Sequence, residues 1–360
     1  MPKPFTYAEA GVDRKLRATS KKSLKVLEET YRFSRYGKVL QLPYGNLFPL
    51  SENLYLDLVI EGVGTKVLVA QLAEKYDTIG VDAVAVAVND VIRSGAKPLA
   101  IADNIHAQVS NPQLVKAWIK GITQGATEAE CIVSGGEIGD VAEIIRGITA
   151  NKGFDMVVAC IGEVTRERVI FGNTLRPGDV IIGLRSSGIH SNGVTLARKV
   201  LFKKWGGKYD PYEVPEGLNR EIVLEVLEPT RIYVKPLLKL IEKVSIKAAV
   251  HITGDAYLKF GRLSDFSAGI GFIFDNFKPQ PIFELIQKTA EEIHGAITDE
   301  EMLKTFNMGW GFAVVVEKTH AEEVLSVLEK QKVEAEIIGQ VTDSREIVAL
   351  YKNKRIVLTH

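Results

Sequence analysis

The hexapeptide Glu61-Gly62-Val63-Gly64-Thr65-Lys66 constrains this chain more than any other stretch. It lies between Leu54-Tyr55-Leu56-Asp57-Leu58-Val59-Ile60, which reads as a strand, and Val67 to Glu74, which reads as a helix. Two glycines let a backbone approach an anion closely, and the unpaired N–H groups at a helix start point toward it. Lys66 adds a point charge and Thr65 a hydroxyl. Glu61 is a carboxylate of the kind that holds the divalent ion accompanying a polyphosphate. The spacing is not that of the P-loop, G-x-x-x-x-G-K-[ST], so the layout suits phosphate without implying that fold. Taken by itself, the stretch is equally a tight strand-to-helix turn with a solvated lysine.

At 360 residues the chain is long enough for two domains. Its 45 Lys and Arg balance its 45 Asp and Glu, so no global field selects nucleic acid or an anionic membrane. Cys131 and Cys160 each sit among apolar neighbours, the pattern of buried thiols in a reducing compartment. Met1 to Tyr7 lacks the apolar run of a signal peptide, and the longer apolar runs stop short of a membrane span. A cytoplasmic enzyme is expected.

Along the chain, Ala10-Gly11-Val12-Asp13 reads as a turn before a helix. Lys21 to Phe33 is expected to be an amphipathic helix with Leu24, Leu27 and Tyr31 on one face. Tyr44-Gly45-Asn46-Leu47-Phe48 reads as a mobile loop or an entry arm. Val81, Val84, Val88 and Val91 recur at helical spacing and predict a buried face, with Asp82, Asn89 and Arg93 on the opposite stripe beside Asp90. Leu99 to Ala102 reads as a buried strand ending in Asp103, a position where ligand groups collect in layered folds. Asn89, Asp90 and Asp103 are therefore candidate metal or phosphate groups. Cys131-Ile132-Val133 leads into Ser134-Gly135-Gly136-Glu137, a second strand, Gly-Gly and acid turn, where Glu137 is a candidate metal ligand. The strand Val180 to Leu184 runs into Arg185-Ser186-Ser187-Gly188-Ile189-His190-Ser191-Asn192-Gly193 before another helix. A helix start needs one capping residue, not nine polar positions, so Ser186, Ser187, Gly188, His190, Ser191, Asn192 and Gly193 read as a second anion loop. His251, at a strand end before Ile252-Thr253-Gly254, is either an acid/base group or a satisfied core histidine.

Eight segments in order resemble the aminoimidazole ribonucleotide synthetase (phosphoribosylformylglycinamidine cyclo-ligase) family. They are Thr6-Tyr7 with Ala10 to Asp13; Gly62 to Lys66; Asp77 to Asp82 with Val88-Asn89-Asp90; Gly135-Gly136-Glu137; Ser186 to Gly193; Pro229-Thr230-Arg231-Ile232-Tyr233-Val234-Lys235; His251 to Gly254; and Thr305-Phe306-Asn307-Met308-Gly309. The resemblance implies ATP-dependent closure of formylglycinamidine ribonucleotide to aminoimidazole ribonucleotide, with ADP and phosphate released. It implies magnesium, often potassium, and a homodimer whose N-terminal domains build a β-barrel-like core. On it Gly62, Val63, Gly64, Thr65 and Lys66 serve the ATP phosphates, Asn89, Asp90 and Asp103 the ATP–metal region, and the Ser186–Gly193 loop a ligand phosphate. Lys66, Asp90 and His251 are then the catalytic residues, and Glu61, Asp90, Asp103 and Glu137 the metal ligands.

The chain departs from the family pattern at Glu61, where Asp is usual, at Ile138 after Gly-Gly-Glu, and at Asp255-Ala256, where two glycines are usual. A thiamine-phosphate kinase of the same superfamily, or a non-catalytic nucleotide-binding paralogue, is the alternative. A selenophosphate synthetase is disfavoured by the lack of an N-terminal-region Cys, and a hydrogenase-maturation protein by an ending of Thr359-His360 without Cys. The expected fold is α+β in two domains, 1–168 and 169–360. The first has a mostly antiparallel sheet forming a dimer barrel, and the second a mixed sheet flanked by helices.

Overall fold

The apolar alternation of the first half becomes a six-stranded sheet in the computed structural model, which describes residues 4–359. Residues 1–3 and 360, on which the reading of the two chain ends partly rests, lie outside the described residues. The strands are β1 (Leu40–Leu42), β2 (Gly45–Pro49), β3 (Leu54–Gly62), β4 (Lys97–Ala107), β5 (Ile132–Asp140) and β6 (Phe154–Thr165). They lie in the order β1-β2-β3-β6-β4-β5, with β4 and β5 parallel and the other neighbours antiparallel. Helices α1 (Arg14–Lys21), α2 (Lys66–Ala73), α3 (Asp77–Ile92) and α4 (Pro112–Ala129) belong to this half. On β6, Phe154, Met156, Val158, Cys160 and Val164 alternate into the core that α3 closes. Two glycines let α3 and α4 touch backbone to backbone: a Cβ at Gly121 would lie 1.9 Å from the Asp77 carbonyl oxygen, and one at Gly80 2.4 Å from the Ile122 nitrogen.

The second half builds a seven-stranded sheet from β7 (Val180–Arg185), β8 (Ala248–His251), β9 (Gly271–Phe274), β10 (Trp310–Val316), β11 (Ala335–Thr342), β12 (Ile347–Tyr351) and β13 (Lys354–Leu358). Its order is β13-β12-β9-β11-β7-β10-β8, parallel at β12–β9 and antiparallel elsewhere. Every residue of β10 is buried, because both faces of this sheet are covered. Ala313 and Val315 join the main core, and Phe312, Val314 and Val316 join a second cluster. Helices α5 (Val194–Leu201), α6 (Ile222–Val226) and α7 (Val234–Ile241) follow β7.

The two mixed sheets with helices agree with the expected α+β class. Within the chain the first sheet does not close: β1 and β5 are open edges. Four local expectations need correction. Lys22–Phe33 is a run of 3₁₀ turns with no buried residue, and Leu24 and Leu27 are exposed. Its periodicity is real, but the segment reaches no core. The Tyr44–Phe48 stretch is no free loop, since β2 pairs with β3 and Leu47 is fully buried. Gly135 and Gly136 lie inside β5 rather than in a turn. Asp103 lies inside β4 rather than at its end. No helix of the described residues is long and apolar enough to cross a membrane.

Candidate functional site

One cleft is lined from both halves of the chain, by Glu61, Gly62 and Asp90 on one side and Ser191, Asn192, His251 and Thr253 on the other. Asp90 is near the C-terminal end of α3 and His251 ends β8. The His251 Nδ1 lies 2.6 Å from Asp90 Oδ1, and Arg93 Nη1 lies 2.6 Å from Asp90 Oδ2. Burial pushes the Asp90 carboxyl up, but Arg93 and the His251 hydrogen bond outweigh it and hold it far below the usual carboxylate range. Burial lowers the His251 pKa against the pull of Asp90, so the ring is held neutral. A carboxylate only accepts, so the ring proton sits on Nδ1 and the lone pair on Nε2. That Nε2 is buried without a hydrogen-bond partner. An imidazole oriented by a carboxylate with a free second nitrogen is the arrangement of a general base. The Glu61 pKa is raised by burial and by the neighbouring Asp90 charge, with which it hydrogen-bonds.

Lys66 is placed differently from a solvent-facing phosphate ligand. Its ammonium is fully buried, 2.8 Å from Asp82 Oδ2, and donates to the Glu228 carbonyl at 2.7 Å. Asp82 also accepts from the Thr230 N–H at 2.8 Å, the Thr230 hydroxyl at 2.6 Å and the Ser191 hydroxyl at 3.2 Å. Asn89 is likewise spent on the seam between the halves, donating to Arg231 O at 2.8 Å and accepting from Tyr233 N at 2.9 Å. The helix starts remain as anion-binding features. The Thr65 and Thr195 hydroxyls lie 2.8 Å apart, so the N-termini of α2 and α5 converge beside the cleft, their positive dipole ends together.

The Ser186–Gly193 loop divides into a holding part and an open part. Ser186 bonds Asn307 Oδ1 at 3.0 Å, Ser187 donates to Pro229 O at 2.5 Å, and Asn307 Nδ2 donates to Gly188 O at 2.8 Å. His190, with φ 64°, is buried and accepts from Ser187 N at 3.2 Å. Burial first, then His251 and Lys66, lower its pKa well below the ordinary value. Ser191 and Asn192 face the cleft, and Gly193, at φ 75°, precedes α5.

The four expected metal ligands are not gathered into one cluster. Asp103 pairs across β4 and β5 with Gly136, where a Cβ would meet its carboxylate at 2.4 Å, and Glu137 is exposed on β5. Burial raises the Asp103 pKa. Among the described residues no group of three or more His, Cys, Asp and Glu could hold a metal ion. The acidic pair of the cleft is Glu61 with Asp90. Sequence reasoning gave no site role to four residues: Asp82 and Arg93, placed only on the polar stripe beside Asp90, Thr230, placed only in a family segment, and Lys259. The i to i+3 spacing of Asp90 and Arg93 carries that signal; the Asp82–Thr230 and Lys259 contacts exist only in the folded chain. Lys259 donates to His251 O at 3.1 Å and to Thr253 Oγ1. Between them Asp255 and Ala256 have φ of 67° and 40°, a left-handed conformation that costs a residue with a Cβ about 1–2 kcal/mol.

The model of the AIR synthase related protein N-terminal domain matches residues 46–164, and that of its C-terminal domain matches residues 176–352. A protein of Methanocaldococcus jannaschii named phosphoribosylformylglycinamidine cyclo-ligase is 36% identical over 98% of this chain and 99% of its own. One of Pyrococcus furiosus with the same name is 40% identical over 91% of this chain and 92% of its own. Among solved structures, E. coli HypE, a hydrogenase maturation protein, is similar with TM-score 0.60 and 16% identity, covering 95% of this chain and 96% of its own. T. maritima PurL complexed with ATP is similar with TM-score 0.58 and 15% identity, over 86% of this chain and 44% of its own. At such identity these two speak to fold.

Proposed function

The chain belongs to the AIR synthase related family, and from that premise we infer that it is an ATP-dependent cyclo-ligase that closes formylglycinamidine ribonucleotide to 5-aminoimidazole ribonucleotide. The observation that carries the reading at the site is the Asp90–His251 pair, made from both halves of the chain beside the cleft, with an imidazole Nε2 that no protein group pairs.

The formyl amide oxygen attacks the γ-phosphorus of ATP, forming an O–P bond as the bond to the ADP oxygen breaks. An amidine nitrogen then attacks the activated carbon, forming the ring C–N bond. His251 Nε2 takes the proton from that nitrogen, and phosphate leaves with the former amide oxygen. Asp90 stabilises the imidazolium so formed. The converging starts of α2 and α5, with Gly62 to Thr65 and Ser191 to Gly193, receive phosphate oxygens on backbone N–H groups. Lys66 serves by holding the α2 start against Glu228 and Asp82, and the 186–190 part of the second loop by holding its open end. Magnesium fits this donor set, since two adjacent carboxylates plus nucleotide phosphates are an ordinary magnesium environment. Glu61 and Asp90 would hold it, and when bound it neutralises phosphate charge. Potassium activation belongs to the same reading and is tested by exchanging potassium for sodium.

The division at 168/169 and a homodimer are also proposed. Leu58, Ile161, Ala100 and Ile132 form one row across β3, β6, β4 and β5, and Leu58 and Ile132 are 61% and 65% exposed. Ile60 in the next row is 70% exposed. A second copy covering this face would supply the closing half of a barrel. Sedimentation of Ile60→Asp against the parent chain tests this: a parent that sediments as a monomer dismisses the dimer.

The decisive experiment measures phosphate release from Mg²⁺–ATP with and without formylglycinamidine ribonucleotide, alongside the aminoimidazole product. One phosphate per product is expected. ATP binding without release would overturn the reading in favour of a non-catalytic paralogue, and release driven by thiamine monophosphate in favour of a kinase.

A further inference from the structure

Lys259, which bonds the cleft residues His251 and Thr253 from behind, is a charged group that the mechanism above leaves unused. It sits in a 3₁₀ turn, Ala256–Phe260, whose first residue, Ala256, forms a left-handed pair with Asp255 before it. Such conformations in residues with a Cβ persist only where the surroundings over-determine them. Four contacts do so here. Arg14 Nε lies 3.7 Å from Asp255 Oδ1. The Lys259 ammonium reaches back across the turn to the His251 carbonyl at 3.1 Å and the Thr253 hydroxyl, and its own carbonyl accepts from the Tyr44 hydroxyl at 3.0 Å. Burial pushes the Lys259 pKa down to about 8, against the pull of Asp90, so the cation is held at a cost that its contacts must offset. A surface lysine would serve the turn no better than water; this one bonds the backbone of the very residue whose imidazole the reaction uses.

We propose that Lys259 is a positioning residue of the cyclisation: it ties the strained 253–256 turn back onto His251 and so fixes the imidazole against Asp90 with Nε2 left unpaired. The proposal rests on the role of His251 given above. It is tested with Lys259→Met and Lys259→Arg in the full chain. Lys259→Met is expected to lower kcat at least tenfold while KM for ATP changes less than threefold. Lys259→Arg, which still donates to both oxygens, is expected to stay within threefold of the parent kcat. Ring ¹⁵N spectra of labelled histidine, taken without substrates at pH 7.5, give a second readout. The His251 signals should move in Lys259→Met and stay in Lys259→Arg, with the signals of His294, which pairs with the Lys199 carbonyl, unchanged as a control for folding. A Lys259→Met enzyme with the parent kcat overturns the proposal, as does a loss that Lys259→Arg shares with unmoved His251 signals. If the parent chain does not turn over formylglycinamidine ribonucleotide, the functional reading falls, and the histidine spectra still decide whether Lys259 positions His251.

Discussion

Lys66 and Asp90 carry the same kind of signal in the sequence, a charge beside glycine or asparagine near a helix, and they end in opposite surroundings. Asp90 reaches the cleft; Lys66 is sealed against Asp82 with no exposure. Removing one partner of such a buried pair leaves the other charged and unpaired, a loss of about 3–5 kcal/mol. Lys66→Met is therefore expected to lose that much stability in urea unfolding, and Lys66→Met with Asp82→Leu to recover part of it. An unchanged urea midpoint in Lys66→Met would show that the pair is not holding the fold. The two buried histidines give a pH dependence of definite sign. His190 and His251 are both held below the ordinary value of 6.5, so under acid the unfolded chain takes up protons that the folded chain refuses. Stability then falls as pH drops below that value, by up to about 1.4 kcal/mol per pH unit for each histidine. Asp57, pushed up to about 6 by burial, acts the other way, because the folded chain binds its proton first. Glu61 and Asp103, also raised, act with Asp57, but their ordinary values lie well below those of the two histidines, so urea midpoints should drop from pH 7.5 to 5.5. Equal midpoints would mean that the histidines are charged inside the fold.

Elements were legible where one periodicity ran unopposed. The strand before Gly62, the helix after it and the strand Val180 to Leu184 all follow from apolar runs bounded by glycine or polar turns. The stripe of α3 was half legible. Its valines marked a buried face, but Asp82 and Asn89 are buried too, because the second half of the chain covers the polar side and satisfies both. The 3₁₀ segment Lys22–Phe33 failed in the opposite way, since a helical apolar pattern means burial only where something packs on it. The glycines of the α3–α4 crossing were not legible, for a close approach between helices leaves no local pattern. They yield a prediction at this scale. A Cβ at Gly121 would lie 1.9 Å from the Asp77 carbonyl oxygen and 3.0 Å from the Gly80 Cα, all rigid backbone, so the helices must part. Gly121→Ala is expected to destabilise by about 1–3 kcal/mol or more, although alanine favours a helix elsewhere. A raised Tm in a thermal melt would sink this account of the crossing.

In the whole molecule, the cleft exists only while the two halves stay docked, and the docking runs through one short segment. Glu228, Thr230, Arg231 and Tyr233 receive Lys66, Asp82 and Asn89, the polar residues of α2 and α3. The sequence displayed this segment as a motif of the family and gave no sign that it is a seam, because its partners lie more than a hundred residues away. The seam bonds backbone groups with side chains, so a single truncation strands two of them. Asn89→Ala leaves the Arg231 carbonyl and the Tyr233 N–H, both paired with Asn89, without that partner, at about 1–3 kcal/mol each. The main core runs through both halves, so the parent chain is expected to unfold in one calorimetric transition. Asn89→Ala is expected to split it into two, the less stable one lowered, and to reduce kcat at least tenfold because Asp90 and His251 no longer meet at 2.6 Å. A variant that melts in one unshifted transition and keeps its kcat would show that the halves are held together by their apolar contact alone, with the Asn89 bonds incidental to it.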